Sequence, residues 1–367
     1  MSTTAETQAR AYYDQAIWFF RQGRLQEAAL SLELAIQSRP DFAEAHCHLA
    51  NILSYQGRID EAVVSYRRAL ELAPHLAIAH SNLGSALNQQ GSFQEAEEFC
   101  RRALSLDATF SGALNNLGNA LAGQARFEEA VSTFREAIRL QPDFSDAYYN
   151  LAIALQKSGR LGEAADCLRE ALRLQPHFFE AEFDLGHIRQ QQGKLEEAAT
   201  HYRRALQLRP DYADGYKALG ALLCGQGVFL EAETCFREAL RLQPGCPDSH
   251  VYLGDVLRRQ GRLDEAIACY AQAISLRPDH PRAHCNCETS SSVPMKRMPI
   301  VTLALPARSR AWRTRRSQAT GARLSCGLIR RISTAIWALR WIARADTMKP
   351  PHASGKHWRS LLMTPTR

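Results

Sequence analysis

Apolar and polar positions follow one another along most of this chain in a pattern that returns every 34 residues. Residues 145–178, SDAYYNLAIALQKSGRLGEAADCLREALRLQPHF, show it in full. Leu stands at the seventh position, a small residue at the eighth, and Ala at the twentieth and twenty-seventh. Position twenty-four is usually aromatic or aliphatic. Spacings of three and four residues place side chains on one side of a helix, so each period predicts two amphipathic helices.

Counted from Ala9, the pattern defines eight units, and positions below are counted within them. The units are 9–42, 43–76, 77–110, 111–144, 145–178, 179–212, 213–246 and 247–280. Glycine at position fifteen ends the first helix in seven units, because it readily adopts the left-handed conformation of a helix C-terminus. The fourth unit has Ala125 there, where that conformation costs about 1 kcal/mol, so we expect this turn to differ.

Proline at position thirty-two closes seven of the units and stops the second helix. An Asp follows it in four units, as at Asp41 and Asp143, and we expect this carboxylate to cap the next first helix.

This repeat is similar to the tetratricopeptide repeat (TPR), whose period is also 34 residues. The resemblance covers residues 9–280 and implies an all-α solenoid of eight helix pairs, a right-handed superhelix with the first helices on its concave side. Residues 1–8 would be an N-terminal extension. Residues 281–287 would begin a broken ninth repeat or form a capping helix, since Cys287 and Glu288 replace the expected Leu and small residue.

The charge changes sign where the repeat pattern stops. Residues 1–287 hold 29 basic and 36 acidic side chains, a net charge of −7, whereas residues 288–367 hold 16 and 2, a net charge of +14. One interpretation is a functional basic tail, poorly ordered for the most part, in which residues 328–344 form an amphipathic helix. That helix would dock as a cap on the eighth repeat or, as a lesser alternative, contact a membrane. The other interpretation is that residues 288–367 are translated out of frame.

The array contains no motif typical of an enzyme, so we predict neither catalytic residues nor a cofactor. His280, His284, Cys285 and Cys287 could suggest a metal site, but His recurs at position four of several repeats, which favours a packing role. We therefore predict no metal site. Cysteines such as Cys167 fall at packing positions, and the N-terminus lacks the pattern of a signal peptide. These features favour a reducing, cytoplasmic setting.

Asparagines on the first helices indicate a binding surface. Position six is Asn in three consecutive repeats, and neighbouring asparagines extend the row. The residues concerned are Asn82, Asn116 and Asn150, with Asn115, Asn119 and Asn51. A carboxamide offers two donors and an acceptor, which matches a peptide group. We expect this ladder to bind an extended peptide by its backbone, the alternative being that these side chains contact only water.

The later repeats differ in character. Tyr149 and Lys217 stand among acidic and aromatic residues on the first helices of repeats five to eight, and we predict that they belong to the partner-binding surface. A basic or amphipathic segment would suit such an acidic surface, and no nucleic acid is expected to bind the array.

The repeats also resemble those of O-GlcNAc transferases and SPINDLY-type proteins, as AHSNLGSALNQQGSFQEAEEFCRRAL at 79–104 illustrates. In that family an Asn ladder recruits protein substrates, and Asn82, Asn116 and Asn150 match its position. A chaperone-binding clamp is disfavoured because Ala221 stands where that clamp needs Asn. The sequence thus predicts a non-catalytic interaction scaffold. The alternative is the substrate-recruiting part of a truncated glycosyltransferase, and the partner and oligomeric state stay undetermined.

Overall fold

The structure, a computed structural model, describes residues 2–292. Its described residues form 17 α-helices and no strands, which confirms the predicted all-α class. Ala, Leu, Glu, Gln and Arg dominate these segments, and all five are strong helix formers. No helix in the described part of the chain combines the length and apolar character needed to span a bilayer.

The described residues divide into two compact units, 2–194 and 195–292. The N-terminal unit contains α1 (Ser2–Arg21), α2 (Leu25–Ser38), α3 (Ala43–Tyr55), α4 (Ile59–Leu72), α5 (Ala77–Gln89), α6 (Phe93–Leu106), α7 (Ser111–Gly123), α8 (Phe127–Leu140), α9 (Ser145–Lys157), α10 (Leu161–Leu174) and α11 (Phe179–Gln191). The C-terminal unit contains α12 (Leu195–Leu208), α13 (Ala213–Gly225), α14 (Phe229–Leu242), α15 (Pro247–Arg259), α16 (Leu263–Leu276) and α17 (Pro281–Ser292).

Helices pack in sequence order within each unit. In the N-terminal unit α1 to α10 form five hairpins, and the second helix of each hairpin packs on the first helix of the next. In the C-terminal unit α13 pairs with α14 and α15 with α16, while α17 packs on both α15 and α16. Contacts between neighbours in sequence are typical of a solenoid, in which every repeat is stabilised mainly by the adjacent ones.

Alanine at positions twenty and twenty-seven forms the centre of each hairpin. Ala130 and Ala137 are fully buried, and the equivalent alanines of the other repeats are at most 1 % exposed. Position twenty-four lies between them and is also buried, as in Phe134 and Tyr270. The ring of Phe134 lies against Gly118 so closely that a Cβ there would stand 2.5 Å from the ring. Small residues at position eight therefore make room for large ones at position twenty-four.

The turn at Ala125 corrects the expectation that it would differ from the others. Ala125 has φ +60°, in the same left-handed region as the seven glycines at this position, whose φ lies between +73° and +81°. The Ala125 N–H donates to the carbonyl of Ala122 (2.9 Å), a bond of the same kind as the one from Gly159 to Gln156. Packing of the hairpin therefore imposes the turn, and Ala125 carries its conformational cost.

The predicted capping by Asp is wrong for α3 and α9. The residue at the N-cap of α3 is Phe42, and that of α9 is Phe144; neither helix has a side-chain cap. Asp41 stands one residue earlier and pairs with Arg39 at 3.5 Å. An aromatic side chain takes the last position of these repeats because it can be buried there, as Phe42 is, and this displaces the Asp from capping distance.

The helices at both ends extend beyond the repeat register. α1 begins at Ser2, so residues 2–8, predicted as an extension, continue the first helix. α17 runs to Ser292, five residues past the point where the pattern breaks. Cys287 replaces Leu in that helix and is buried, whereas Glu288 is exposed. The predicted features of residues 293–367, including the helix at 328–344, lie outside the described residues.

Candidate functional site

Two neighbouring first helices, α5 and α7, carry no Asp, Glu, Lys or Arg and present Ser, Asn, Gln and Gly instead. Their small side chains let the two helices contact each other directly. Asn88 Nδ2 donates to the backbone carbonyl of Asn116 at 2.8 Å. In return, Asn116 Nδ2 donates to both the carbonyl and the hydroxyl of Ser81, each at 3.1 Å. Asn116 thus joins α7 to α5.

Asn82 and Asn51 form a similar contact one repeat earlier. Asn82 Nδ2 donates to Asn51 Oδ1 at 2.9 Å, and the same oxygen accepts the hydroxyl of Tyr66 at 2.6 Å. All three groups are partly buried. Because Tyr66 belongs to α4, the Asn51 oxygen connects the core of one hairpin to the first helix of the next.

Asn150, the third member of the predicted ladder, turns toward a different partner. Its Nδ2 donates to Oδ1 of Asn115 at 3.0 Å, and Asn115 is only 8 % exposed. Each of the three position-six asparagines therefore donates a hydrogen bond from its side-chain amide to the preceding first helix. The sequence pattern did not predict these contacts between helices. In the described part of the chain, the Oδ1 atoms of Asn82, Asn116 and Asn150 receive no hydrogen bond from the protein.

Asn119 differs from the other asparagines of the row. Within residues 2–292 its half-buried side chain makes no hydrogen bond to the protein. It lines a concavity of about 500 Å³ formed by α7, α8, α9 and α11. Apolar groups from Ile153, Ala154 and Phe127 line the concavity together with the polar side chains of Asn150 and Gln156. The surface thus combines an apolar floor with carboxamides that can still bond.

One basic and one acidic side chain also line this concavity. Lys157 is exposed. Asp184 accepts a hydrogen bond at its Oδ2 from the hydroxyl of Tyr149 at 2.7 Å, and the Tyr149 ring packs 4.9 Å from that of Phe178. Burial raises the pKa of Asp184, against the opposing effects of the Tyr149 hydrogen bond and His187. Tyr149 therefore lines the site with an orientation set by two neighbours.

The C-terminal unit holds the remaining predicted residue, Lys217. Its ammonium pairs with Asp214 on the same helix. Asp248 accepts from His280 at 3.0 Å, and Asp255 accepts from Arg282 and Asn286, each at 2.7 Å. Asp214, Asp248 and Asp255, three carboxylates of the predicted acidic surface, therefore each have a partner within the C-terminal unit, and Lys217 and Arg282 bring a positive charge to two of them.

The candidate metal ligands have other partners. His284 bonds the carbonyl of Pro278 at 2.7 Å, as His46, His80 and His250 bond the proline carbonyl six residues before each of them. His280 faces Asp248, and Cys287 is buried whereas Cys285 is exposed. Residues 2–292 contain no group of three His, Cys, Asp or Glu side chains placed to bind a metal.

The cysteines on the second helices are at packing positions. Burial raises the pKa of Cys167 and Cys235 to about 11.

The sequence matches two family models, one described as TPR repeat over residues 186–227 and 254–287, the other as Tetratricopeptide repeat over residues 47–109 and 115–177. Both models describe repeats, and the resemblance to O-GlcNAc transferases stays a prediction. A comparison with curated proteins gave no match.

Solved structures share the fold. A chain in the crystal structure of the APC/C hetero-tetramer Cut9-Hcn1 is 16% identical with a TM-score of 0.56, over 75% of this chain and 54% of that one. This chain therefore spans about half of that relative. PilF of Pseudomonas aeruginosa is 23% identical with a TM-score of 0.51, over 59% of this chain and 97% of its own. YrrB, described as a TPR protein with an unusual peptide-binding site, is 21% identical with a TM-score of 0.46, over 52% and 97%. The first two structures, both less than 25% identical to this chain, establish the fold alone.

Proposed function

The chain belongs to the tetratricopeptide repeat family, and from this premise we propose that it is an interaction scaffold that binds an extended peptide segment of a partner protein. The binding surface is the concavity of the N-terminal unit, between α7, α9 and α11. This function needs no catalytic residue. It needs a surface with carboxamides that can hydrogen-bond the partner's backbone amides and apolar side chains that can contact one of its apolar side chains.

The unpaired carboxamide of Asn119 beside an apolar floor is the observation that carries this proposal. Carboxamides bond a peptide backbone without demanding a particular side chain. Ile153 is half-buried beside them, so it has apolar area left to cover. The lack of Asp, Glu, Lys and Arg on α7 favours an uncharged peptide group beside Asn119, because no charged side chain of that helix would have to be desolvated.

A selection experiment tests the proposed function. The full-length chain is used to select binders from a phage-displayed library of random dodecapeptides, and the affinity of a selected, fluorescein-labelled peptide is measured by anisotropy. Ile153→Glu puts a charge on the apolar floor and should weaken binding at least tenfold. Ser132→Glu, on the exposed side of α8, is the matched control and should leave the affinity unchanged. No enriched peptide, or equal affinity in both variants, would contradict the proposal.

A further inference from the structure

In two repeats, a side-chain oxygen at position nine accepts hydrogen bonds from the same two kinds of donor, a Tyr hydroxyl and an Asn amide. In the second repeat, Asn51 Oδ1 accepts from the Tyr66 hydroxyl at 2.6 Å and from Asn82 at 2.9 Å. In the eighth repeat, Asp255 Oδ1 accepts from the Tyr270 hydroxyl at 2.8 Å and from Asn286 at 2.7 Å. The donors are a Tyr at position twenty-four of the same repeat and an Asn at position six of the next. Together these groups form a closed triad.

The fourth repeat has the acceptor but has lost both donors. Asn119 stands at position nine, yet position twenty-four is Phe134, which has no hydroxyl. Asn150, at position six of the next repeat, donates to Asn115 instead. The Phe134 ring is placed like that of Tyr270, since a Cβ on Gly118 would stand 2.5 Å from its Cε1 and a Cβ on Gly254 would stand 2.6 Å from Cε1 of Tyr270. A hydroxyl on Phe134 would therefore reach Asn119.

We propose that Asn119 is the residue that binds the backbone of the peptide, and that the absence of a hydroxyl on Phe134 keeps its carboxamide available. The ligand is a single peptide group of an extended segment, whose C=O accepts from Nδ2 and whose N–H donates to Oδ1. This inference rests on the proposed function above. It assigns recognition to position nine of the fourth repeat, while Asn82, Asn116 and Asn150 chiefly join successive first helices.

The surroundings of Asn119 favour a backbone ligand over a charged group. Its helix, α7, contains no Asp, Glu, Lys or Arg, and two other polar side chains that line the concavity, Asn150 and Gln156, are carboxamides. An extended peptide lying along the concavity would place a neighbouring side chain over Ile153 and Ala154. One carboxamide that pairs both atoms of a peptide group contributes about five- to tenfold in affinity, judged from the net effect of ordinary hydrogen bonds.

Three variants of the full-length chain test the assignment with the selected fluorescein-labelled dodecapeptide. Asn119→Ala should weaken binding about five- to tenfold. Phe134→Tyr leaves every side chain of the floor in place but supplies the missing donor, and it should weaken binding by a similar factor. In the Asn119→Ala background Phe134→Tyr should have no further effect on affinity. Phe236→Tyr is the matched control, because position nine of its repeat is Ala221 and offers no acceptor, and its affinity should equal that of the unchanged protein.

Thermal unfolding checks the geometry independently of any ligand. Phe134→Tyr should keep or raise the melting temperature, since its hydroxyl finds the Asn119 oxygen, whereas Phe236→Tyr should lower it because a buried hydroxyl is left unpaired. N-methylation of the dodecapeptide, one amide at a time, should reveal one amide whose loss weakens binding to the unchanged protein but not to Asn119→Ala.

The outcomes separate the two proposals. If Ile153→Glu abolishes binding while Asn119→Ala and Phe134→Tyr bind as the unchanged protein does, the assignment to Asn119 is wrong and the groove remains the site. If no peptide is enriched, or Ile153→Glu has no effect, both proposals fall. Equal destabilisation by Phe134→Tyr and Phe236→Tyr would also overturn the assignment, because the added hydroxyl would then not reach Asn119.

Discussion

At the scale of single residues, the same side chain serves different purposes according to the donor opposite it. The Asn51 carboxamide is held by Tyr66 and Asn82. The Asn119 carboxamide lines the same concavity as Phe134 and has no hydrogen bond among the described residues. Histidine at position four also has a defined role, since His80 and His250 bond the carbonyl of the preceding proline. Each of these roles depends on partners that lie 6 to 31 residues away in the sequence.

The turn at Ala125 offers a direct stability prediction. Ala125→Gly should stabilise the protein by roughly 0.5–1 kcal/mol, because glycine adopts φ +60° without the strain that alanine has there. The greater conformational entropy of glycine in the unfolded chain offsets part of this stabilisation. Gly159→Ala, at the same position of the next repeat with φ +78°, should destabilise by a similar amount. Urea denaturation measures both, and two variants that each match the unchanged protein would show that these turns are not strained.

Histidine burial predicts a loss of stability in mild acid. Burial lowers the pKa of His80, as does the nearby Arg102, although the hydrogen bond to the Pro74 carbonyl opposes the shift. Burial likewise lowers the pKa of His250 and His48. The unfolded chain then binds protons more readily, so this stability is complete above about pH 6.5 and declines as the pH falls toward the lower folded-state pKa values.

Denaturation at pH 7.5 and pH 5.5 measures that decline. His80→Tyr, which introduces the residue found at position four of the fifth and seventh repeats, should reduce the difference between the two pH values. His75→Asn, at an exposed position in the preceding turn, is the control. A stability that does not change between the two pH values would contradict the prediction.

At the scale of helices, three hairpins pair a glycine at position eight with an aromatic ring at position twenty-four. Gly118 faces Phe134, Gly220 faces Phe236 and Gly254 faces Tyr270, with an added Cβ standing 2.5 to 3.0 Å from the ring in each case. Where position eight is Ala152, position twenty-four is the smaller Leu168, and both are fully buried. In these four hairpins a larger residue at position eight therefore goes with a smaller one at position twenty-four, whereas Ala50 and Tyr66 in the second repeat combine Ala with a large ring.

This volume matching predicts a compensating pair of substitutions. Gly118→Ala should destabilise the protein by about 1–3 kcal/mol, because its Cβ would overlap the buried Phe134 ring. Adding Phe134→Leu should recover part of that loss, since it reproduces the pairing of Ala152 with Leu168. Chemical denaturation of the two single variants and the double variant measures the coupling, and simple additivity would count against it.

At the scale of the whole molecule, the described chain is two units of stacked helices, each with its own buried residues. The C-terminal unit ends in α17, a helix whose sequence departs from the repeat after its first turns. Ala283 and Cys287 are buried, while Glu288 is exposed. A polar outer face is what a terminal element of a repeat array requires, and we propose that α17 has this capping role.

Truncation tests the contribution of α17. A chain that ends at residue 280 loses Arg282 and Asn286, two donors to the carboxylate of Asp255, and uncovers the apolar surface beneath Ala283. Its melting temperature should lie at least about 3 °C below that of a chain ending at residue 292. Identical melting of the two shortened chains would show that α17 contributes nothing.

The sequence alone determined the repeat, because burial of one helix face requires apolar side chains at fixed spacings and glycine at a left-handed turn leaves a visible mark. Helix pairs, the alanine centre of each hairpin and the row of asparagines all followed from that periodicity. The hydrogen-bond partners of the asparagines did not follow from it. Asn150 could have bonded either Asn115 or Asn119, because both lie on the preceding first helix at similar distances along the sequence. Only packing in three dimensions decided between them, because a hydrogen bond depends on distance and direction. For the same reason, the sequence does not show that the hydroxyl missing from Phe134 concerns Asn119.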